Sequence, residues 1–174
     1  MRLGSTIILF TIAIALVGCN ESHREEPVPE YAVPERTEDE LRAALEATCR
    51  ESLDREVLVL VEFSAPWCSD CQRLHQMKHA KALTTELEKW ARLTVNVGMF
   101  DRHRATLAAF SIEKIANWSL FEPVDCDAPV EQWSRLMART LEPSSGSERD
   151  TSPTQLAAWL RNIRESHLPT RLDR

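Results

Sequence analysis

Apolar positions divide this chain into a leading apolar run, a polar stretch, and a long region where helix-like and strand-like patterns alternate. The leading run, Leu3 to Val17, follows the single positive charge of Arg2 and is interrupted only by Gly4, Ser5, Thr6 and Thr11. At about fifteen residues it is shorter than the ~20 that a spanning helix needs, so it reads as the core of a secretory signal over residues 1–18. Asn20 to Arg36 is charged, contains Pro27, Pro29 and Pro34, and offers little apolar surface. Such a segment cannot bury enough to offset its ordering entropy, and 19–36 is expected to be a flexible tether reaching about 55 Å at full extension.

The folded domain is expected over 37–168, followed by a short tail at 169–174. Thr37 with Glu40 fits a capping box, and Leu41, Ala44, Leu45 and Thr48 recur at helical spacing. Val57 to Phe63 (VLVLVEF) is nearly all apolar, as in a strand buried on both faces. After Ser64, Ala65 and Pro66, the stretch from Cys68 to about Ala91 reads as one helix with Leu74, Met77, Leu83, Leu87 and Trp90 inward. Leu93 to Val97 predicts a second strand, Arg104 to Phe110 a short helix, and Ile115 to Phe121 a third strand. Pro123 to Ser134 has no clear period and reads as an insertion. Arg135 to Leu141 reads as a final strand, and Glu142 to Thr151 as a loop by composition. Ser152 and Pro153 then open a last helix through Leu156, Trp159, Leu160 and Ile163. The alternation predicts an α/β domain: a mixed sheet of about four strands with helices on both faces.

Composition bears on compartment and partners. A net charge of −6 over 174 residues argues against nucleic acid or an anionic membrane face as the principal partner. The residues Leu16, Val17, Gly18 and Cys19 resemble the lipobox of bacterial lipoproteins. That resemblance implies lipidation of Cys19, a membrane anchor through the lipid, and a domain in the bacterial cell envelope facing the periplasm. Asn20 after the cysteine implies the outer membrane rather than the inner. Four cysteines then remain, Cys49, Cys68, Cys71 and Cys126, in a space where disulfides persist.

Cys68 and Cys71 form a C-x-x-C pair directly after the buried strand and at a helix start. There the unpaired amides and the positive end of the helix dipole stabilise a thiolate on Cys68, and Cys71 lies one turn on, near enough to resolve a mixed disulfide. A structural disulfide or half a zinc site is the plainer reading of such a pair; the strand–turn–helix context favours exchange. The run VLVLVEFSAPWCSDC, Val57 to Cys71, resembles the active-site segment of thioredoxin-like proteins, and the likeness extends loosely from Leu41 to Ile163. The resemblance implies a thioredoxin-like mixed sheet, Cys68 as exposed nucleophile, Cys71 as buried resolving thiol, and Trp67 packed beside them. It also places Glu62 where the family often carries a buried acid that moves a proton to or from the resolving cysteine; a solvated strand-end charge is the alternative.

Two departures bear on substrate and direction. Ser69–Asp70 separates the cysteines, and a carboxylate on Asp70 opposes a thiolate on Cys68, which favours a reductant or isomerase over a strong oxidant. The family's cis-proline position aligns with Ala116, where a trans bond is expected because a non-proline cis bond costs about 2.5–4 kcal/mol. A different class of function, copper or zinc carriage, would use Cys68, Cys71 and His75, with His79 further along the helix, although these cannot all converge on one ion. A non-catalytic interaction module is a third. Cys49 and Cys126 either pair, tying the first helix to the insertion, pass oxidation to or from the central pair, or are buried apolar fillers, the commoner fate. Trp118 and Trp159 are expected in the core, and Trp133 is a candidate for a substrate surface. The two resemblances together imply a lipid-anchored thiol–disulfide oxidoreductase with no cofactor, acting on protein thiols and disulfides outside the cytoplasm, with a membrane thiol carrier as electron donor.

Overall fold

The computed structural model describes residues 31–123, 125–145 and 152–167. The expected signal sequence, Cys19, most of the expected tether and the tail at 169–174 lie outside the described residues. Helix α1 (Glu38–Asp54) starts at a full capping box: the Thr37 hydroxyl accepts from the Glu40 amide at 3.2 Å, and the Glu40 carboxylate accepts from the Thr37 amide at 2.7 Å. Strand β1 (Leu58–Ser64) follows, then α2 (Ser69–Lys78), α3 (Lys81–Leu87), β2 (Trp90–Asn96), α4 (Arg104–Ala109), β3 (Asn117–Glu122), β4 (Ser134–Thr140) and α5 (Pro153–His167). Short 3₁₀ turns lie at Val130–Gln132 and Pro143–Ser145. No described helix is long and apolar enough to cross a membrane.

The sheet is mixed, in the order β2-β1-β3-β4. Strand β1 pairs parallel with β2 and antiparallel with β3, and β3 pairs antiparallel with β4. All seven residues of β1 are buried, as its apolar run predicts. Because strand side chains alternate, β1 feeds two cores. Val59, Val61 and Phe63 face α1, α4 and the insertion, with Leu41, Leu45, Leu107 and Trp133. Leu58 and Leu60 face α2, α3 and α5, with Leu74, Leu87 and Leu160. Helix α5 is tied to α3 by Glu86, 1 % exposed, which accepts from Arg164 Nε at 2.9 Å.

Several local expectations are corrected. The helix read through Ala91 breaks at His79–Ala80, where Ala80 is extended and the Thr84 hydroxyl donates to the Lys78 carbonyl at 2.6 Å. Trp90 belongs to β2, opposite Leu58 in the parallel register; it stands three residues after Leu87 and so mimics helical spacing. Trp133 packs into the first core, 7 % exposed and edge-on to Phe121 at 5.9 Å, because the insertion folds back there, and it also lines a cleft with Leu41, Leu45 and Val130 on the side of the sheet away from Cys68. The tether, read as flexible to residue 36, is packed from Tyr31 onward, since Tyr31 and Val33 supply apolar surface; Val33 is buried and its carbonyl accepts from Asn96 Nδ2 at 3.2 Å.

Cys49 and Cys126 are disulfide-bonded with Cα atoms 5.6 Å apart, so they are not separate fillers. The α1 face and the folded-back insertion bring them together across 77 residues of chain. This bond lies in the first core and the Cys68–Cys71 pair in the second, on opposite sides of the sheet. Closing so long a loop in the unfolded chain predicts that the double variant Cys49→Ala/Cys126→Ala loses about 2–5 kcal/mol in urea unfolding while keeping the Cys68–Cys71 bond. A loss within about 0.5 kcal/mol of zero contradicts this.

Candidate functional site

Strand β1 ends at Ser64 and the chain turns through Ala65–Trp67, with the Cys68 amide donating to the Ala65 carbonyl at 3.2 Å. Cys68 becomes the N-cap of α2, and its Sγ accepts from the Cys71 amide at 3.1 Å. That is where a helix start leaves amides unpaired and favours negative charge. Cys68 and Cys71 are joined as a disulfide, Cα atoms 5.2 Å apart, with Cys68 5 % exposed and Cys71 fully buried. Both cysteines are therefore buried in the disulfide form, against the expectation of an exposed Cys68, and it is the position of Cys68 at the helix start that distinguishes the two. Trp67 stands half exposed beside the pair, its indole Nε1–H donating to the Gly98 carbonyl at 2.8 Å.

Glu62 shares the β1 face that turns toward α2, and it is buried, 3 % exposed, rather than solvated. Its carboxylate accepts from Lys78 Nζ at 3.0 and 2.8 Å and from Trp118 Nε1 at 3.0 Å. Trp118 is the cross-strand partner of Glu62, so β3 delivers that donor by register alone. Lys78, from the last turn of α2, is absent from the sequence reading, and Trp118 enters it only as a core residue. The cue for Lys78 was a cation ten residues after Cys68 on the resolving-cysteine helix, a weak signal without the fold. A cleft lined by Glu62 and Lys78 together with Glu51, Arg55, Glu88 and Arg92 opens beside them.

The peptide bond between Ile115 and Ala116 is cis, against the expectation of trans. Ala116 is fully buried in the core that holds Cys68 and Cys71, and its carbonyl accepts from the Leu141 amide at 2.7 Å, which fixes that backbone against the end of β4. Asp70 lies in the first turn of α2, half-buried. His75 does not join the cysteines as a ligand: its ring packs 5.0 Å from Tyr31 and 4.9 Å from His79. Among the described residues no three His, Cys, Asp or Glu side chains cluster as a metal site.

The order of elements, the cis bond beside the cysteine pair and the buried acid on β1 together make one arrangement. The sequence model of the thioredoxin family matches residues 40–131, more than half of the chain. This chain belongs to the thioredoxin family. Among solved structures it is similar to a disulphide isomerase from Xylella fastidiosa Temecula1, at 20 % identity, covering 76 % of this chain and 95 % of that one with a TM-score of 0.52. The germline-specific thioredoxin Deadhead of Drosophila melanogaster matches at 14 % identity over 75 % of this chain and 98 % of its own, with a TM-score of 0.48. No curated protein matches by sequence. Within this thioredoxin fold, the Cys68–Cys71 pair at disulfide distance is the thiol–disulfide centre.

Removing the cation that faces Glu62 would leave a buried carboxylate without its charge partner. Lys78→Met is therefore expected to cost about 3 kcal/mol in urea unfolding at neutral pH, with most of it recovered in Lys78→Met/Glu62→Gln. Equal losses in the single and double variants would show that the ion pair is not what stabilises this site.

Proposed function

We propose that this chain is an extracytoplasmic thiol–disulfide oxidoreductase that passes electrons from Cys68 and Cys71 to disulfides of client proteins. The observation that carries the proposal is the Cys68 sulfur capping α2 beside a fully buried Cys71, with a buried acid on the adjoining strand. In the reduced protein the Cys68 thiolate attacks a client disulfide, forming a mixed disulfide and releasing one client thiolate, which takes a proton from solvent. Cys71 then gives up its proton, with Glu62 as acceptor, and attacks Cys68 Sγ. The Cys68–Cys71 bond forms, the mixed disulfide breaks, and the second client thiol leaves. Two electrons have moved from the dithiol to the client, and a membrane thiol carrier would return them.

The direction follows from Asp70. A carboxylate in the first turn opposes the thiolate that the helix N-terminus favours, so the reduced form is less stabilised than in a strong oxidant. We place the protein as a reductant or isomerase, supported by fold likeness to a protein described as a disulphide isomerase. The proposed setting is the periplasmic side of a bacterial envelope, with lipidated Cys19 as anchor and the outer membrane as its home. Support for this is the lipobox-like Leu16–Cys19 and the polar stretch that follows it.

Cys71→Ser removes the resolving thiol and is expected to hold clients as mixed disulfides on Cys68 in vivo, released by dithiothreitol, while Cys68→Ser/Cys71→Ser holds none. The reduction potential of the parent is expected well below the roughly −120 mV of a strong periplasmic oxidant. An empty trap contradicts the exchange reading, and a potential near −120 mV contradicts the direction.

A further inference from the structure

The segment before α1 lies ahead of the family match, which begins at residue 40, yet it is fastened to the redox half of the domain. The Tyr31 hydroxyl hydrogen-bonds the Ser64 hydroxyl at the end of β1, and its ring meets the His75 ring of α2 at 5.0 Å. The Val33 carbonyl accepts from Asn96 Nδ2 at 3.2 Å, and Arg36 Nη1 donates to the Thr94 carbonyl at 2.8 Å. Glu35 pairs with Arg102 at 3.0 Å. These contacts run along β2, the edge strand, and end at the active-site helix. A segment that served only as a spacer would gain nothing from the entropy lost in fixing it at so many points.

Tyr31 also lies within electrostatic reach of Glu62. Burial, with a contribution from the Glu62 charge and against the opposing effect of the Ser64 bond, pushes its phenol up to about 12. Ser64 and Glu62 point to the same face of β1, two residues apart, so Tyr31 caps the Ser64 end of the layer that holds the acid. Around Glu62 stand Lys78 from α2, Trp118 from β3, and, across the cleft, Arg92 from β2, Glu51 and Arg55 from the end of α1, and Glu88 after α3, while His75 of α2 meets Tyr31. The cleft touches the Lys78 side of the buried Glu62, and Tyr31 stands toward the Ser64 side.

We propose that Tyr31 is a positioning residue for disulfide exchange: the docked segment 31–36 shuts water out of the Ser64 side of the Glu62 pocket and steadies α2 through His75. The redox centre is complete only when this segment, which leads to the tether, is in place. The inference deepens the exchange reading above and rests on it, with Glu62 as proton acceptor for Cys71.

The test is the pH profile of exchange with a protein disulfide, measured between pH 5 and 9 on the full chain and on Tyr31→Ala, Tyr31→Phe, Glu62→Gln and Tyr31→Ala/Glu62→Gln. Tyr31→Ala removes the Ser64 and His75 contacts and opens that side of the Glu62 layer, so the profile is expected to be displaced from the parent's, with exchange slowed about tenfold at neutral pH. Tyr31→Phe keeps the ring contact and loses the Ser64 bond, and falls between parent and Tyr31→Ala. In the Glu62→Gln background, Tyr31→Ala is expected to move the profile no further. Superposable profiles for parent and Tyr31→Ala overturn the proposal, as does a displacement that persists undiminished without Glu62. A parent that exchanges with no disulfide overturns the oxidoreductase reading itself and this inference with it.

Discussion

Strand β1 is buried on both faces, and that constraint organises the rest of the molecule. A strand covered by helices on each side has to divide its side chains between two dry layers, and its end has to lead directly into whatever stands on the sheet edge. Here the odd positions Val59, Val61 and Phe63 fill one layer, and Leu58 and Leu60 begin the other. The next even position is Glu62, so a carboxylate enters a layer that would otherwise be apolar. Burial of an unpaired carboxylate is costly enough that the layer must supply donors, and α2 and β3 supply Lys78 and Trp118. The same strand end sets Cys68 at the start of α2, so acid and cysteine pair share one layer because β1 alternates.

The two disulfides do different physical work. Cys49–Cys126 closes 77 residues of chain, and in the loop-entropy view such a closure contributes about 4–5 kcal/mol. Cys68–Cys71 spans three residues and contributes about 2 kcal/mol at most by the same view. The first staples the insertion over a core; the second has little to offer stability and sits where a helix start favours a sulfur charge. Trp67 beside it is half exposed, whereas Cys68 itself is buried. The sheet separates the two bonds into different cores.

What could be read from the sequence was whatever is encoded locally. The VLVLVEF run, the Thr37–Glu40 capping box, the Ser152–Pro153 helix start and the C-x-x-C position all depend on neighbours a few residues apart, and each lies where its pattern places it. What could not be read depends on the tertiary arrangement. The Cys49–Cys126 bond needs the insertion to fold back onto α1, and the backbone at Ala116 meets Leu141, at the end of β4, only in the folded chain. Lys78 becomes the partner of Glu62 only once α2 lies across β1. Tyr31 looks like one aromatic in a polar tether until Ser64 and His75 stand beside it. The break between α2 and α3 was hidden because Leu83, Leu87 and Trp90 keep helical spacing through it.

The central claim is that the start of α2 distinguishes the two cysteines, favouring a thiolate on Cys68 over Cys71. The direct measurement is site-resolved alkylation of the reduced protein by iodoacetamide at neutral pH, followed by peptide mapping. With Cys71 fully buried and Cys68 at the helix start, Cys68 is expected to react at least about a hundredfold faster than Cys71. Equal rates, or faster modification of Cys71, would contradict the account.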